Sequence, residues 1–559
     1  MGACLLVALL LPALAILPSA VVDRGPDGRA RVSPFPIAIA AFDPFVWTCA
    51  RNSAAVASAV AAGSLAIGVG LALLVHRRRF WGRTVLWALA ILPLAGGPLL
   101  IAPGVETILG GDRGREWLAA RSILGISADG LVRWAALVWV GLASGVPLVA
   151  LATGSALRRV DPAWVDAARG VGAARGRVWR EIVWPILRPT SARAASMVFT
   201  LALVEPAGPL ILGLRRTLAV QMLGAATRDD QPTRAATLAL LSIAIAAAGR
   251  ILIGWWGGRS CARDVVPDAQ GPAFLGFRRA SAASLTLLTW ILFALGPFLA
   301  FLLGTLGSGR SAISGSWTDL VRGWLVDPDL GAWALNSSLC AGLAIGFDLA
   351  ILGSLRRGRS GAILGAVRLA GRLFEAVPPL ALGTGALALP WLLAVLADSL
   401  GGPAGTWLRA VARELSPARS PGILLILGLA AIRLPMLARS AEVSGREIRP
   451  ARVDAARIVG ASDRRARKAV DGRWLGIVPG GSAILALALA STNLAPALLL
   501  TPSSGRRTLA PALLRMSLDG GPVDPRAACL VLAILALNAV GLALASRARE
   551  GPIGEWFRG

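Results

Sequence analysis

The chain alternates long apolar runs with short polar stretches, and the arginines gather almost wholly in the latter. A run near 20 residues, wound at about 1.5 Å per residue, is long enough to cross the hydrocarbon core of a bilayer as a helix. About twelve such runs can be placed, at residues 3–21, 54–75, 85–102, 134–153, 194–213, 236–257, 281–306, 333–354, 376–397, 421–438, 480–500 and 526–546. Prolines interrupt the run at 376–397. The pattern predicts an all-α polytopic membrane protein. The first run has a second reading, because Leu17-Pro18-Ser19-Ala20 resembles a signal-peptide cleavage site. It lacks the positive segment such a peptide carries in front, and a retained first helix is expected.

The pattern also occurs twice. The string Pro162-Ala-Trp-Val-Asp-Ala-Ala-Arg-Gly-Val-Gly-Ala173 returns 288 residues later as Pro450-Ala-Arg-Val-Asp-Ala-Ala-Arg-Ile-Val-Gly-Ala461, identical at ten of twelve positions. The same offset relates Pro147 to Pro435 before the string, and Glu205 to Asn493 and Ala207 to Ala495 after it. An offset of 284 relates Asn52-Ser53 to Asn336-Ser337. Self-similarity of this kind predicts two tandem repeats of about six helices each. Residues 1–257 form the first, 258–280 a cytoplasmic connector, and 281–559 the second. Six is even, so both repeats enter and leave on one side and are related by an axis along the membrane normal.

Composition narrows the chemistry. A mean hydropathy of +0.67 and 55% apolar residues exclude an ordinary soluble domain of 559 residues. The net charge of +26 lies in loops between spans rather than in a basic domain, so nucleic acid is not an expected partner. With the amino terminus cytoplasmic, the inside loops and the tail hold about 34 Lys and Arg and the outside loops about 20, which predicts an N-in, C-in topology. Cys4, Cys49, Cys261, Cys340 and Cys529 have neither metal-ligand spacing nor a disulfide framework. The one histidine, His76, ends a span beside Arg77, Arg78 and Arg79 and reads as an interfacial anchor. A P-loop needs Gly-Lys-[Ser/Thr] to bring an ammonium to phosphates. The sole lysine, Lys468, follows Arg467, so the chain carries no ATP-hydrolysing motif of that type. No enzyme activity, metal or cofactor is expected.

The repeated strings fall in the two longest basic loops predicted to be cytoplasmic. Asp161 and Pro162 make a helix start, with Asp as N-cap and Pro at the first helical position. A short helix over 163–170, with small Ala167 and Ala168, is expected to end where Gly172 turns left-handed. A second helix over about 174–184 then leads to Pro185 and Pro189 and back into the membrane. Such a knob suits a socket on another protein; the simpler reading is an amphipathic loop anchoring helix ends.

Asp166-Ala167-Ala168, Gly172, Ile182 and Pro185 resemble the EAA loop of binding-protein-dependent ABC importer permeases. That signature is Glu-Ala-Ala, three residues, Gly, and later Ile-x-Leu-Pro; here Asp166 stands for the Glu and Trp184 for the Leu. Val146-Pro147 before the loop and Trp184-Pro185-Ile-Leu-Arg-Pro189 after it are similar too. In the second copy Asp454, Ala455, Ala456 and Gly460 are kept, but Val470 replaces the Ile, Arg473 falls where the Pro belongs, and Pro479 comes six residues late. Two such domains in one chain, each with Asn-Ser opening its second helix, resemble the fused ferric-iron type, to which thiamine permeases are similar.

The resemblance implies a bacterial inner-membrane subunit. Its EAA-like loops, at 161–189 and 449–479, would seat in clefts of a cytosolic ABC ATPase dimer. A separate extracytoplasmic binding protein would deliver cargo, ferric iron first by analogy, then thiamine or another small solute. It implies that Asp166, Ala167, Ala168, Gly172, Ile182, Pro185, Asp454, Ala455, Ala456 and Gly460 couple to the ATPase. A secondary transporter of six plus six helices and a non-transporting scaffold are the readings of other classes.

Polar groups inside a membrane are costly and mark a pathway or a partner. Glu205, followed by Pro206 and Pro209, and its counterpart Asn493 are therefore pathway candidates; an interhelical hydrogen bond or a salt bridge to Arg250 is the alternative. Asp348 and Glu375 are expected to pair with Arg356 or Arg372.

Overall fold

The computed structural model describes residues 2–24, 30–76, 78–80, 82–110, 116, 120, 122–123, 126–157, 160, 162–227, 232–258, 273–274, 277–308, 328–357, 369–371, 373–416, 421–447, 457–460, 462, 486–487, 489–490, 493–501, 507–519 and 530–540. Among them helix is almost the whole of the backbone, and the only strands are three two-stranded ribbons of two or three residues per strand. That follows from the solvent the sequence is written for. A chain of continuous apolar runs can satisfy its backbone polar groups in lipid only by helix or closed barrel.

The first long helices are α1 (Gly2–Val21), α2 (Phe35–Phe42), α3 (Pro44–His76), α4 (Arg83–Ile108) and α5 (Ala128–Leu157). Then come α6 (Pro162–Gly170), α7 (Arg175–Val178), a π-helical segment (Trp179–Val183) and α8 (Trp184–Leu203). Short helices α9 (Ala207–Ile211) and α10 (Leu218–Thr227) precede α11 (Pro232–Gly257). The rest of the chain supplies α12 (Phe277–Ser308), α13 (Pro328–Arg357), α14 (Pro379–Leu400), α15 (Gly402–Leu415), α16 (Pro421–Glu447), α17 (Leu494–Leu500), α18 (Leu509–Asp519) and α19 (Leu530–Val540).

Among the described residues seven helical stretches are long and apolar enough to cross a membrane: Pro44–His76, Ala128–Leu157, Arg175–Ile211, Pro232–Gly257, Ala282–Leu303, Asp329–Leu352 and Pro379–Leu400. An eighth is α4 if its two arms count as one span; it breaks at Gly97, whose φ of 60° lies outside the helical region, with Pro98 immediately after. The runs predicted at 3–21, 421–438 and 526–546 carry shorter apolar helices, and the run at 480–500 lies mostly outside the described residues. The connector predicted at 258–280 also lies mostly outside them. Exposed leucines form stripes on the outside of the bundle: Leu285, Leu288, Leu292, Leu299 and Leu303 on α12, and Leu335, Leu339 and Leu343 on α13. Apolar stripes of this length would be a liability in water and are the expected lipid-facing surface.

The helices interlock. α1 packs against α14, α11, α13 and α16, while α12 packs against α4 and α5. Two of these contacts bring a proline-bearing helix against a glycine. A Cβ on Gly385 of α14 would run into the carbonyl oxygen of Pro12 of α1, and one on Gly104 of α4 would run into that of Pro297 of α12. Two indoles fix α12 further: Trp290 donates from Nε1 to the Ala90 carbonyl at 3.1 Å, and Trp139 to that of Phe293 at 2.9 Å. Two large hydrophobic clusters result. One centres on α1, α14 and α16 with α10 and α11; the other centres on α4, α5 and α12 with α9 and α18.

Candidate functional site

The first repeated string folds as a knob at one end of the bundle. Within α6, Val165 turns inward with Ala168 and packs on Leu157, Val160, Val178, Val183 and Leu187, a small core separate from the main ones. Trp164, Asp166, Ala167, Arg169 and Val171 are exposed, Val171 at 86%. Gly172 then adopts φ +83°; its N–H donates to the Arg169 carbonyl at 2.9 Å and that of Ala173 to the Ala168 carbonyl at 3.0 Å. This is a Schellman closure, which needs the left-handed residue that glycine supplies without a steric cost. The expected helix over 163–170 and the left-handed glycine are both present.

In the second string, Gly460 has φ +89° and its N–H donates to the Arg457 carbonyl at 2.9 Å. Ile458 and Val459 stand 86% and 88% exposed. Asp454, Ala455 and Ala456 lie outside the described residues, as does most of 449–479.

The exit from the first knob differs from expectation. The second helix does not stop near residue 184 but continues from Arg175 to Leu203 through Pro185 and Pro189. Pro185 has no N–H to give to the carbonyl four residues back and its ring crowds that carbonyl. The π segment accommodates this: the Trp184 N–H reaches back five residues to the Trp179 carbonyl. Ile182 is part of the small core under α6, while Pro185 is exposed. Thus Asp166, Ala167, Gly172 and Pro185 are open to a partner, and Ala168 and Ile182 support the knob.

A tryptophan cluster missed at the level of sequence fastens this exit to the end of α11. Trp184 lies 6.0 Å from both Trp179 and Trp256, centroid to centroid. The Arg188 guanidinium sits 5.1 Å from the centroid of the Trp256 ring and donates to the Trp256 carbonyl. The available signal was Trp255-Trp256 closing an apolar run opposite two further tryptophans in a basic loop. His76 lies edge-on to Trp87 at 5.6 Å and against Gly154.

At the far end of α8 the helix breaks, as Pro206 and Pro209 predict. Glu205 turns its carboxylate onto the next helix and accepts the N–H groups of Ala207 and Gly208, each at 2.9 Å. Arg133 closes the other end of that helix by donating from Nη1 to the Leu212 carbonyl at 2.6 Å. Its Nε donates to Asp129 at 2.7 Å, and Glu106 stands 3.8 Å away. Helix α9 is thus held by an acid at its positive end and a base at its negative end, the arrangement its dipole favours. The salt bridge considered between Glu205 and Arg250 is absent, because Arg250 bonds the carbonyl and carboxylate of Glu375, at 2.9 and 3.4 Å. Glu375 thus pairs with Arg250; the side chains of Arg356 and Arg372 lie outside the described residues.

Asn493 is the N-cap residue of α17, without a side-chain cap bond, whereas Glu205 stands one residue before the N-cap of α9. It lines a cavity about large enough for one water molecule, together with Ser337, Cys340, Ala490 and Thr508. Two sets of contacts, one in each half of the chain, agree in form. The Asn52 side-chain amide donates to the Arg216 carbonyl at 3.1 Å, and that of Asn336 to the Arg507 carbonyl at 3.3 Å. Ser53 accepts the Leu218 N–H at 2.9 Å, and Ser337 accepts the Leu509 N–H at 2.8 Å. The expected pairing of Asp348 is not made: its carboxylate is fully buried without a hydrogen-bond partner, and the charge acting on it is Arg433 of α16.

Among the described residues no three His, Cys, Asp or Glu side chains gather as a metal site. No protein-family model and no curated protein sequence matches the chain.

Proposed function

We propose that the chain is the transmembrane permease subunit of an ATP-driven, binding-protein-dependent importer, built as two tandem six-helix repeats with about twelve spans. The observation that carries this reading is the paired knob end. Gly172 and Gly460, 288 residues apart, make the same left-handed turn with the same bond to an arginine carbonyl, and each leaves a valine outside. A protein surface that repeats an exposed apolar tip once per half suits a partner that is itself a dimer. The Asn-Ser contacts support a duplicated architecture, since those of one half have counterparts in the other, as the packing of α1 on α14 and α16 has in that of α12 on α4 and α5.

In this mechanism ATP closes the ATPase dimer and draws the two knobs together. The small core under α6 and the Trp184–Trp256 contact make the first knob one body with α8 and α11. Its motion is delivered to α9 and α10, which pack against α18 and α17 from the other half. ATP and loaded binding protein each favour one of two global states, and that differential affinity is the coupling. The amino and carboxyl termini and the knobs lie in the cytoplasm of a bacterial cell whose inner membrane holds the chain. Ferric iron is the proposed cargo, by the fused-type resemblance.

Charge reversal at Asp166 and Asp454 combined with Gly172→Pro tests this. Loss of ATPase co-purification and of uptake is the expected result. Undiminished values would refute the coupling role, and uptake that persists without ATPase or nucleotide, driven by an ion gradient, would identify a secondary transporter instead.

A further inference from the structure

Two charges inside the bundle are left unclosed. Asp348 on α13 is fully buried, and neither of its carboxylate oxygens has a hydrogen-bond partner. Its charged neighbour is Arg433 on α16, which spends Nη2 on the Leu489 carbonyl at 2.6 Å and leaves Nε without an acceptor. The two do not reach ion-pair contact, although α13 and α16 pack side by side. In a medium of low dielectric the attraction between such charges is strong and desolvating them is expensive. A pair kept for stability alone would be closed.

Placement on the duplicated frame shows that the positions are opposed by design of the fold. Offsets of 284 and 288 bring Asp348 and Arg433 onto Ser64 of α3 and Gly145 of α5. There a Cβ added to Gly145 would stand 2.6 Å from the Ser64 hydroxyl, so the two positions face each other directly. The first-half pair is welded by glycines: Gly63 lies against Leu142, Gly68 against Val149 and Gly141 against Val60. At the same frame positions the second half has Phe347, Leu352 and Leu429, with Arg433 for Gly145. The close approach that fixes α3 on α5 is therefore not available to α13 and α16. Bulkier side chains fill those positions, and a split charge pair occupies the seam. Helix α16 continues to Glu447, next to the second knob segment.

We propose that Asp348 and Arg433 form a switchable ion pair, parted in this conformation and closed in the alternate state, that latches α16 to α13 in the second half only. The inference rests on the permease reading, because it needs a partner that moves α16 through the second knob. It gives the unequal halves a physical meaning: the first half is the rigid body and the second carries the sliding seam.

The test uses the full chain with its ATPase subunits in proteoliposomes. The five native cysteines are replaced by serine, and Asp348→Cys and Arg433→Cys are introduced together. Thiol crosslinking is compared without nucleotide and in the vanadate-trapped ATP state. A change in yield of at least about threefold between the states is expected, as a shift between two populated conformers requires. Equal yields with ATP hydrolysis intact would overturn the latch alone. Failure of the unmodified chain to bind or stimulate the ATPase would overturn the permease reading itself, and the latch with it. Should the double-cysteine chain not fold, Asp348→Asn in the native background answers the question. Cargo-dependent stimulation of ATPase should fall several-fold while assembly with the ATPase is unchanged; unchanged stimulation would again sink the latch.

Discussion

Ser337 accepts the backbone N–H of Leu509 across 172 residues of chain, at 2.8 Å, and both groups are buried. Leu509 opens α18, where the first N–H groups of a helix have no partner of their own. A hydroxyl brought from α13 fills that need and fixes where α18 starts. Ser53 does the same for Leu218 and α10. Serine to alanine at either position leaves a buried donor unsatisfied, which costs about 1–3 kcal/mol. Thermal denaturation of the purified chain in detergent should show a lowered midpoint for Ser53→Ala and for Ser337→Ala. Because the sites share no partners, the two losses should add; a double variant no less stable than either single one would refute independent anchors.

Gly104 and Gly385 set how closely the two halves approach. Each faces a proline carbonyl on a helix remote in sequence, Pro297 and Pro12. The obstacle is backbone, which cannot swing aside as a side chain can. Alanine at either glycine should separate the helices and destabilise the protein by about 1–3 kcal/mol, the range for overpacked sites. Gly70, which has open space where a Cβ would stand, is the internal control. Gly70→Ala should be neutral or slightly stabilising in the same melting experiment.

How much of this was legible in the sequence differs from one element to another. The knob was readable because its information is local: a proline to start α6, a glycine to end it, and apolar residues spaced to leave one face out. The Asn-Ser motif was visible as a repeat, but its acceptors, Arg216 and Arg507, lie 164 and 171 residues away and carry no signal of their own. The continuation of the helix through Pro185 was misread. Proline's local rule predicts a stop, and the five-residue π bond that overrides it depends on the packing of Trp179, Ile182 and Trp184 beneath α6. The arginines that approach Glu375 and Asp348 were hidden for the same reason. Arg250 and Arg433 reach Glu375 and the surroundings of Asp348 from other helices, whereas the sequence offered only neighbours along the chain. Spans shorter than about 18 residues, such as Gly422–Ala438, were counted by apolarity alone and are not decided by length.

Gly172 separates conformational strain from crowding. Nothing lies within 4 Å of where its Cβ would stand, yet its φ of +83° is one that side-chain-bearing residues avoid. Gly172→Ala should cost about 1–2 kcal/mol through the backbone alone. Gly172→Asn should cost less, since asparagine enters the left-handed region more readily. Measured as affinity for the ATPase subunit, the order should be glycine, asparagine, alanine. An order that followed side-chain size would point to crowding at the interface in place of the turn.

Arg188 and Trp184 join the knob to α11, so their loss should separate binding from transmission. The guanidinium over the Trp256 ring contributes about 0.5–1 kcal/mol at a partly exposed site, and the ring contacts of Trp184 a similar amount. Those energies are too small to unfold the bundle. Trp184→Ala with Arg188→Ala should leave ATPase association intact while uptake falls relative to ATP hydrolysed. Equal losses of association and uptake would show that these side chains merely shape the docking surface.

Glu205 is where capping and transport can be told apart. Its two carboxylate oxygens each accept one N–H at the start of α9, and Arg133 secures the other end of the same helix. Glu205→Gln keeps the length of the side chain but only one strong acceptor oxygen, so one of the two bonds is lost, at a cost of about 1 kcal/mol. Glu205→Ala loses both and should lower the melting midpoint further. If the residue acts as a cap, uptake should decline in step with that stability across the two variants, and Arg133→Ala should belong to the same series, because it releases the opposite end of the same five-residue helix. A carboxylate that cargo touches directly would behave otherwise: Glu205→Gln would abolish uptake while its melting midpoint stayed within the small change expected for one bond, and Arg133→Ala would not follow it.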